Sequence, residues 1–310
     1  MTHRTQRGVA VVTAILVVAV AASAATYMLA RQSATLNQTA LVMARAQADA
    51  YAHAGLDWAR GILAEDARTS AIDTLDEVWS RPLAGLPVER AIVSGAIGDA
   101  QARFNLNNLV KDGRRSEADM RILARLLESL KLDPGLAQAV LDWIDADSDL
   151  AGPSGAEDAY YLALARPYRA ANQPLAQVEE LYRVRGFDAR AVATLRPHVT
   201  ALPARTTVNA NTTSAEVLAA VVPELSPEET RALLASRKER PFKDKADLAT
   251  RAKKISPAVM EADLDVKTSH FLVQVAVAQD DVQVAVETLV SRAAPGTSPP
   301  TAIIWRRALY

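Results

Sequence analysis

The sequence predicts an α+β protein in which one long N-terminal helix packs on an antiparallel sheet and a large all-α domain interrupts that sheet. Three observations support this fold class. The chain opens with an uncharged apolar run that continues in helical periodicity. Its last part, 266–310, alternates apolar and polar residues as half-buried strands do. The segment between, 107–265, has helical periodicity and contains an internal repeat.

The N-terminal apolar run has the length of a membrane-spanning helix. Residues 9–30 carry no charge, and the basic residues of the chain's start precede them at His3, Arg4 and Arg7. At ~1.5 Å per helical residue the run reaches roughly 33 Å, enough to cross a ~30 Å hydrocarbon core. Because basic flanks stay cytoplasmic, we expect the remainder on the far side of the membrane. The alternative is a cleaved signal peptide with 22–24 (Ala-Ser-Ala) as its exit.

Helical periodicity continues beyond the apolar run. Apolar or small residues recur at alternating three- and four-residue spacing and predict one buried stripe: Leu41, Ala44, Ala48, Tyr51, Gly55, Trp58 and Ile62. No proline occurs between residues 9 and 81. The simplest interpretation is a single rod, half in the bilayer and half projecting from it. Two separate helices are the alternative.

The sheet is predicted from two separated parts of the chain. Short β-like pieces at 91–93 and 102–104 are broken by Gly95 and Gly98. Near the C-terminus the signal is clearer. Phe271, Val273, Val275 and Val277 alternate with other residues, and Asp280 and Asp281 turn the chain. Valines alternate again from 282, and a last strand covers 302–307.

The helical segment between them repeats itself. An asparagine-rich stretch at 104–108 is echoed at 208–212, and Pro174-Leu175 with its following residues is echoed by Pro241-Phe242. Each asparagine-rich stretch is followed by a helix, a proline-containing turn and another helix. The first copy is longer mainly through residues 145–172.

An acidic loop in the first copy is the strongest candidate for a metal site. Hard oxygen donors on a glycine-bearing loop suit Ca²⁺, which takes six to eight oxygens at flexible geometry. The predicted ligands are Asp145, Asp147, Asp149, Glu157 and Asp158. The loop is not an EF-hand, since Leu150 stands where that motif needs glycine and the glutamate arrives one place late. An irregular carboxylate cage and a solvated acidic loop both remain open.

Composition gives no sign of an enzyme. The 36 acidic and 35 basic side chains leave a net charge of −1, and the absence of cysteine excludes disulfides and thiolate chemistry. The four histidines stand far apart, none in a metal-spaced pair. No phosphate-binding loop or nucleophile elbow is present. We therefore expect a protein that is not an enzyme.

The N-terminus resembles the type IV pilin-like signal, in which a prepilin peptidase cuts after a glycine. The resemblance rests on Arg7-Gly8 followed by the uncharged helix, and it implies that Val9 becomes residue one of the mature chain. The fifth mature position is then Thr13, where most pilins carry glutamate. The K-type minor pseudopilins of type II secretion systems lack that glutamate, so the departure favours this family.

Further motifs resemble the K-type pseudopilins (GspK family) along most of the chain. They lie at 105–109, 142–147, 155–162, 167–175 and 208–212. The resemblance implies a calcium-binding helical domain (107–265) inserted in a pilin fold formed by 31–106 and 266–310, after a leader at 1–8 and a membrane helix at 9–30. It also implies a single-pass inner-membrane protein of a Gram-negative bacterium with a cytoplasmic N-terminus and a periplasmic bulk.

The same resemblance implies partners and a place in an assembly. These are the I- and J-type minor pseudopilins, the other pseudopilins, the inner-membrane secretion platform and the prepilin peptidase, with the chain at the pseudopilus tip. The alternative is a membrane-anchored, competence-like DNA-binding protein, because 207–248 resembles a helix-hairpin-helix (SAM-like) module. Its hairpin at 222–226 lacks both glycines and carries Glu224, so no nucleic-acid partner is expected.

Overall fold

A single helix of 65 residues forms the long axis of the molecule. The computed structural model describes residues 5–309, and the side chains of 9–309. The predicted leader residues 1–4 therefore lie outside the described residues, as does Tyr310. Helix α1, Thr5–Thr69, is continuous, so the single-rod prediction is confirmed over the two-helix alternative. Within the described residues, one helix is long and apolar enough to cross a membrane.

Eight shorter helices and eleven strands follow α1 in the described part of the chain. The helices are α2 Glu117–Ser129, α3 Leu136–Ile144, α4 Asp158–Leu162, α5 Ala189–Leu195, α6 Ala215–Val221, α7 Pro227–Glu239, α8 Lys245–Arg251 and α9 Pro257–Ala262. The strands are β1 Leu83–Val88, β2 Ala91–Asp99, β3 Phe104–Asn105, β4 Val110–Lys111, β5 Arg114–Arg115, β6 Val199–Thr200, β7 Val208–Asn209, β8 Leu264–Asp265, β9 His270–Gln279, β10 Val282–Arg292 and β11 Thr301–Ala308.

Five strands form one antiparallel sheet in the order β1-β2-β9-β10-β11. The alternating apolar residues of β9 turn one face toward α1: Phe271, Val273, Val275 and Val277 are all at most 4 % exposed. Together with the long helix and the helical segment between β2 and β9, this sheet confirms the predicted α+β fold class.

Strand β2 differs from the pieces that the sequence predicts. It runs unbroken from Ala91 to Asp99 through Gly95 and Gly98, because pairing with β9 along its whole length holds it extended. A Cβ at position 95 would lie 3.2 Å from the Gln274 carbonyl oxygen, so the glycine allows close approach of the two strands. The predicted piece at 102–104 is instead the end of a 3₁₀ turn and the start of β3.

The buried face of α1 is rotated from the predicted stripe. Three alanines and two leucines pack on the sheet, at Ala48, Ala52, Leu56, Ala59 and Leu63, whereas the predicted Leu41 and Trp58 are each 55 % exposed. Close approach explains the difference, because alanines and Gly55 bring the helix backbone near the strands. A Cβ on Gly55 would lie 3.0 Å from Cγ1 of Val275.

The two copies of the repeat share one hydrogen-bonded clasp. Asn107 accepts from the Leu175 N–H at 2.8 Å and donates to its carbonyl at 2.9 Å. Asn211 makes the same pair of bonds to Phe242, at 2.8 and 2.9 Å. Each copy also holds one short parallel ladder, β3 with β6 and β7 with β8. The alignment of the copies in the sequence is thus reproduced in the contacts.

Candidate metal loop and the junction of the inserted domain

Helix α3 carries a buried carboxylate to the start of the acidic loop. Asp142 is fully buried on a helix whose other residues are almost all apolar and buried. Its Oδ1 accepts from the Ala151 N–H at 2.9 Å, and its Oδ2 is buried without a hydrogen-bond partner among the described residues. A Cβ at Gly155 would stand 2.1 Å from that Oδ2, so the glycine leaves space beside the carboxylate.

Three further carboxylates of the loop lie close to one another near Asp142. Ligand atoms of Asp145, Asp147 and Glu157 lie within 4.8 Å of one another. Both oxygens of Glu157 and one of Asp145 are buried and lack hydrogen-bond partners in the described structure. Glu157 is 6 % exposed. Unpartnered buried oxygens of this kind are costly unless a cation meets them.

The electrostatics of the group agree with that geometry. Burial, followed by repulsion from the neighbouring carboxylates with Asp142 first, raises the pKa of Glu157 to about 7. Burial likewise raises the pKa of Asp145 to about 6, with Asp147 and Asp142 adding repulsion. Asp142 itself has a raised pKa, again mainly through burial. The group therefore resists full ionisation unless a positive charge neutralises it.

Two of the predicted ligands lie outside the converging group. Asp149 donates its backbone N–H to Oδ1 of Asp147 at 2.9 Å, which shapes the loop, and its side chain is exposed. Asp158 begins α4, where its Oδ1 accepts from the Ala170 N–H at 3.0 Å. The prediction omitted Asp142 from the ligand set, although a single aspartate on the apolar α3 was a usable signal. Hard carboxylate oxygens in a loop of irregular geometry fit Ca²⁺.

A second acidic group behaves differently. Ligand atoms of Asp66, Asp73 and Glu77 also lie within 4.8 Å of one another. Here, however, the guanidinium of Arg292 donates to Asp66 at 2.6 Å and to Asp73 at 2.5 Å. Glu77 accepts from the indole N–H of Trp79 at 2.8 Å. An internal cation and hydrogen bonds already satisfy these carboxylates, so the group is structural.

Arg292 belongs to a junction that joins the rod, the sheet and the helical domain. Asp99, at the end of β2, accepts from the Asn209 side-chain amide at 2.9 Å and from the Thr212 hydroxyl at 2.6 Å. Asn209 also donates to the Asp73 carbonyl at 3.1 Å. Burial raises the pKa of Asp73 to about 6 despite Arg292. No local sequence pattern indicates this junction, because its residues are far apart in the chain.

A second tie connects the last strand to the helical domain. Arg307, on β11, donates to Glu179 at 2.6 Å and to Glu287 at 2.5 Å. These carboxylates hold the pKa of Arg307 above its ordinary value, against the effect of burial. Two separate polar contacts therefore fix the helical domain on the end of the sheet.

Comparison with known proteins assigns the family. Two family models described as type II secretion system (T2SS), protein K, match residues 102–204 and 208–267. Type II secretion system protein K of Aeromonas hydrophila is 30 % identical over 310 residues, covering 93 % of this chain and 94 % of that protein. The Pseudomonas aeruginosa protein is 33 % identical over 299 residues, covering 93 % and 89 %. The chain belongs to the type II secretion system protein K family.

The protein K assignment agrees with the repeat and with a solved fold. The two family models meet between residues 204 and 208, where the first copy of the repeat gives way to the second. A chain in the crystal structure of the GspK-GspI-GspJ complex of the enterotoxigenic Escherichia coli type 2 secretion system has a TM-score of 0.75. It is 24 % identical, and the match covers 85 % of this chain and 96 % of that one.

The DNA-binding alternative gains no support from protein K relatives. In its proposed hairpin, the Ser226 N–H is taken by Oε2 of Glu229 at 2.9 Å within a capping box. Glu224 is exposed in the same turn, where a phosphate would have to approach. The helix-hairpin-helix resemblance is therefore one of fold, without the phosphate-binding groups.

Proposed function

We propose that this chain is a non-catalytic minor pseudopilin that occupies the tip of the type II secretion pseudopilus. In this proposal it spans the inner membrane once, with a cytoplasmic N-terminus, and initiates assembly with I- and J-type minor pseudopilins. The observation that carries the proposal is the position of the helical domain at the end of the sheet farthest from the apolar half of α1.

Two sets of contacts define the ends of the sheet. Nearer the apolar half of α1, Tyr51 donates to Glu89 at 2.9 Å and Gln47 accepts from Gln279 at 2.7 Å. At the other end, Asp66 pairs with Arg292. The chain leaves the sheet for the helical domain after Asp99 and returns at His270, where β9 begins. Both positions lie at the Asp66 end of the sheet. A subunit stacked above would meet the helical domain. A subunit below would not need to contact that end of the sheet.

The stretch of α1 between the apolar run and the sheet supports assembly with other helices. From Arg31 to Met43 every residue is exposed, so the helix rises roughly 18 Å without packing on the sheet. Its large apolar side chains are highly exposed, Leu36 at 62 %, Val42 at 68 % and Met43 at 67 %. Such a surface outside the hydrocarbon core is covered in an oligomer, and the GspK-GspI-GspJ neighbour supports the I- and J-type subunits as what covers it.

Thr13 supports a position with no subunit above. Its hydroxyl lies 3.1 Å from the Val9 carbonyl and 3.0 Å from that of Ala10, so it is satisfied within its own helix. An ionised glutamate there without a partner amine would cost ~2.5–3.5 kcal/mol at a helix centre. We also propose that prepilin peptidase cuts between Gly8 and Val9. N-terminal sequencing of the membrane-extracted protein tests this, and a mature end near Ala25 would point to an ordinary signal peptide.

We further propose that Ca²⁺ binds in the acidic loop, at the predicted Asp145, Asp147 and Glu157 with Asp142 beside them. Asp149 and Asp158, also predicted, shape the loop and the start of α4. Bound metal would supply the positive charge that the unpartnered oxygens lack. Isothermal titration of the chelator-treated protein with calcium is the direct measurement, with a Glu157→Gln variant expected to bind at least tenfold more weakly.

The tip position is tested by crosslinking in assembled pseudopili. Because the chain has no cysteine, one introduced at exposed Asn37 gives a single crosslinking position on the rod. We expect heterologous crosslinks to I- and J-type subunits and recovery of a defined complex on co-purification. A ladder of self-crosslinked copies, or immunogold label spaced along the shaft, would contradict the proposal.

A further inference from the structure

A tyrosine- and arginine-rich surface adjoins the acidic loop on the helical domain. We call it the α4 surface and define it by Tyr160, Leu162, Arg166, Tyr168, Arg183 and Arg185. Tyr160 is 38 % exposed and Leu162 47 %, and Arg166 and Arg183 are exposed. Tyrosine and arginine dominate the energetics of protein interfaces because they combine contact area with directed hydrogen bonding.

Contacts within the surface hold its side chains in place. The Arg185 guanidinium stacks 4.9 Å from the centre of the Tyr160 ring. The Tyr160 and Tyr168 rings both pack on the buried ring of Tyr161, at 5.2 and 5.3 Å. The Tyr168 hydroxyl donates to the Arg183 carbonyl at 2.8 Å. Prearranged aromatic rings lose little side-chain entropy when a partner binds.

The surface carries guanidinium groups that no carboxylate neutralises. Among residues 9–309, no Asp or Glu forms an ion pair with Arg166, Arg183 or Arg185, whereas the neighbouring Arg169 lies 3.8 Å from Asp158. A guanidinium presents a planar fork of donors that matches a carboxylate. The surface therefore favours a partner that brings carboxylates.

The acidic loop supports α4 directly. The Glu157 carbonyl accepts from the N–H groups of Tyr160 and Tyr161 at 2.8 and 3.2 Å. From the other side, Arg185 donates to the Gly155 carbonyl at 2.6 Å. Without metal, the negative charge of the loop adjoins the surface and would repel an acidic partner. A divalent cation in the loop would remove that repulsion and fix the start of α4.

We propose that the α4 surface is a docking site for an acidic segment of a second protein, with calcium in the loop strengthening the binding. Only this calcium dependence rests on the metal site proposed above. A protein segment is favoured over an anionic membrane, because the helical domain lies at the end of the sheet away from the membrane helix. It is favoured over nucleic acid because the free arginines are few and are interleaved with Leu162 and tyrosine rings, whereas phosphate tracking needs an extended basic tract.

The test uses the full-length chain in neutral detergent micelles with saturating calcium. The probe is a fluorescein-labelled twelve-residue peptide of alternating Glu and Gly/Ser, and its counterpart has Gln in place of Glu. We expect fluorescence anisotropy to detect binding of the Glu peptide alone. An Arg166→Glu/Arg183→Glu variant should weaken it at least about tenfold. Tyr160→Ala should weaken it about fivefold, which is the smaller loss expected for an interface residue outside the strongest hot spots.

The matched control reverses the charge of an exposed lysine elsewhere in the helical domain, Lys238→Glu on α7, and should change affinity less than twofold. Equal affinity of the arginine variant and its parent, equal binding of the Gln peptide, or preferential binding of phosphatidylglycerol vesicles would overturn the proposal. Failure of the metal site appears separately, as absence of calcium binding by titration. Failure of the tip proposal appears as loss of I- and J-type recovery, which the arginine variant should retain.

Discussion

The proposed calcium site predicts that removing the metal lowers the melting temperature of the protein. The perturbation is EDTA in place of millimolar calcium. A tenfold change in proton affinity corresponds to about 1.4 kcal/mol. A Glu157 pKa of about 7 in place of 4.5 therefore destabilises the metal-free fold by roughly 2 kcal/mol above pH 7, after allowance for solvent screening. Calcium one hundredfold above its Kd contributes about 2.7 kcal/mol to the folded state.

The assay is thermal unfolding followed by circular dichroism and by tryptophan fluorescence. Trp143 is buried at the end of α3, with its ring 5.1 Å from that of Tyr161, so its emission reports on the loop. A domain of 150–250 residues shifts by about 2–4 °C per kcal/mol. We expect calcium to raise the melting temperature by roughly 5–10 °C. Melting curves that coincide in EDTA and in calcium would refute the reasoning.

The pH dependence gives a second readout of the same site. A carboxyl whose folded pKa lies above its unfolded value destabilises the fold when ionised, fully above the folded pKa and not at all below the unfolded one. The destabilisation is therefore complete above a pH of about 7 for Glu157 and about 6 for Asp145, and it fades as the pH falls below those values. In EDTA the loop should therefore become more stable as pH falls from 8 to 5.5. In calcium the trend should reverse, since protons compete with the metal; the same trend in both would contradict the site.

Three further predictions concern the fold. Arg292→Ala leaves two carboxylates of a largely buried ion pair without their cation and should cost about 3–5 kcal/mol in urea unfolding, against less than about 1 kcal/mol for the exposed Arg90→Ala. Gly61→Ala on α1, where a Cβ meets nothing within 4 Å, should stabilise by about 0.5–1 kcal/mol, whereas Gly55→Ala should not, because its Cβ presses on the sheet. Asn211→Ala leaves two buried backbone groups without partners and should cost about 2–4 kcal/mol of stability. Asn211→Asp should lose only part of that stability. A urea midpoint of Asn211→Ala equal to the parent's would contradict the role of the clasp.

Local patterns in the sequence are enough to predict much of the fold. The strand predicted from alternation at 271–277 is observed as His270–Gln279, because alternation reports directly on a sheet with one buried face. The repeat was visible because each copy must satisfy the same buried backbone groups with the same asparagines. Strand β1 was missed, since Gly85 with φ +68° and Pro87 weaken the strand signal and are tolerated at a sheet edge.

Contacts between distant residues account for what the sequence did not predict. The Asp99–Asn209 bond joins positions 110 residues apart, and neither residue type distinguishes a junction from a turn. The buried face of α1 combines alanines with Leu56 and Leu63, and a search for the periodicity of large apolar residues gives little weight to the alanines. In the acidic loop, composition indicated carboxylates that could hold a cation. Only the path of the backbone shows that Asp145, Asp147 and Glu157 converge, whereas Asp149 and Asp158 do not.

The order of the strands couples the helical domain to the pilin-like sheet. Strands β2 and β9 are direct neighbours over nine residue pairs, from Ala91 with Gln279 to Asp99 with Phe271. The whole helical domain lies between them in the chain, yet its core is separate from the core beneath α1. The sheet can therefore close only when the two ends of the domain are held together. They meet where Oε1 of Gln101 accepts from the Ser269 N–H at 2.7 Å, beside the junction at Asp99. Because closing a compact, folded insertion costs far less entropy than closing a flexible loop of that length, loosening the acidic loop should weaken the sheet as well as the domain.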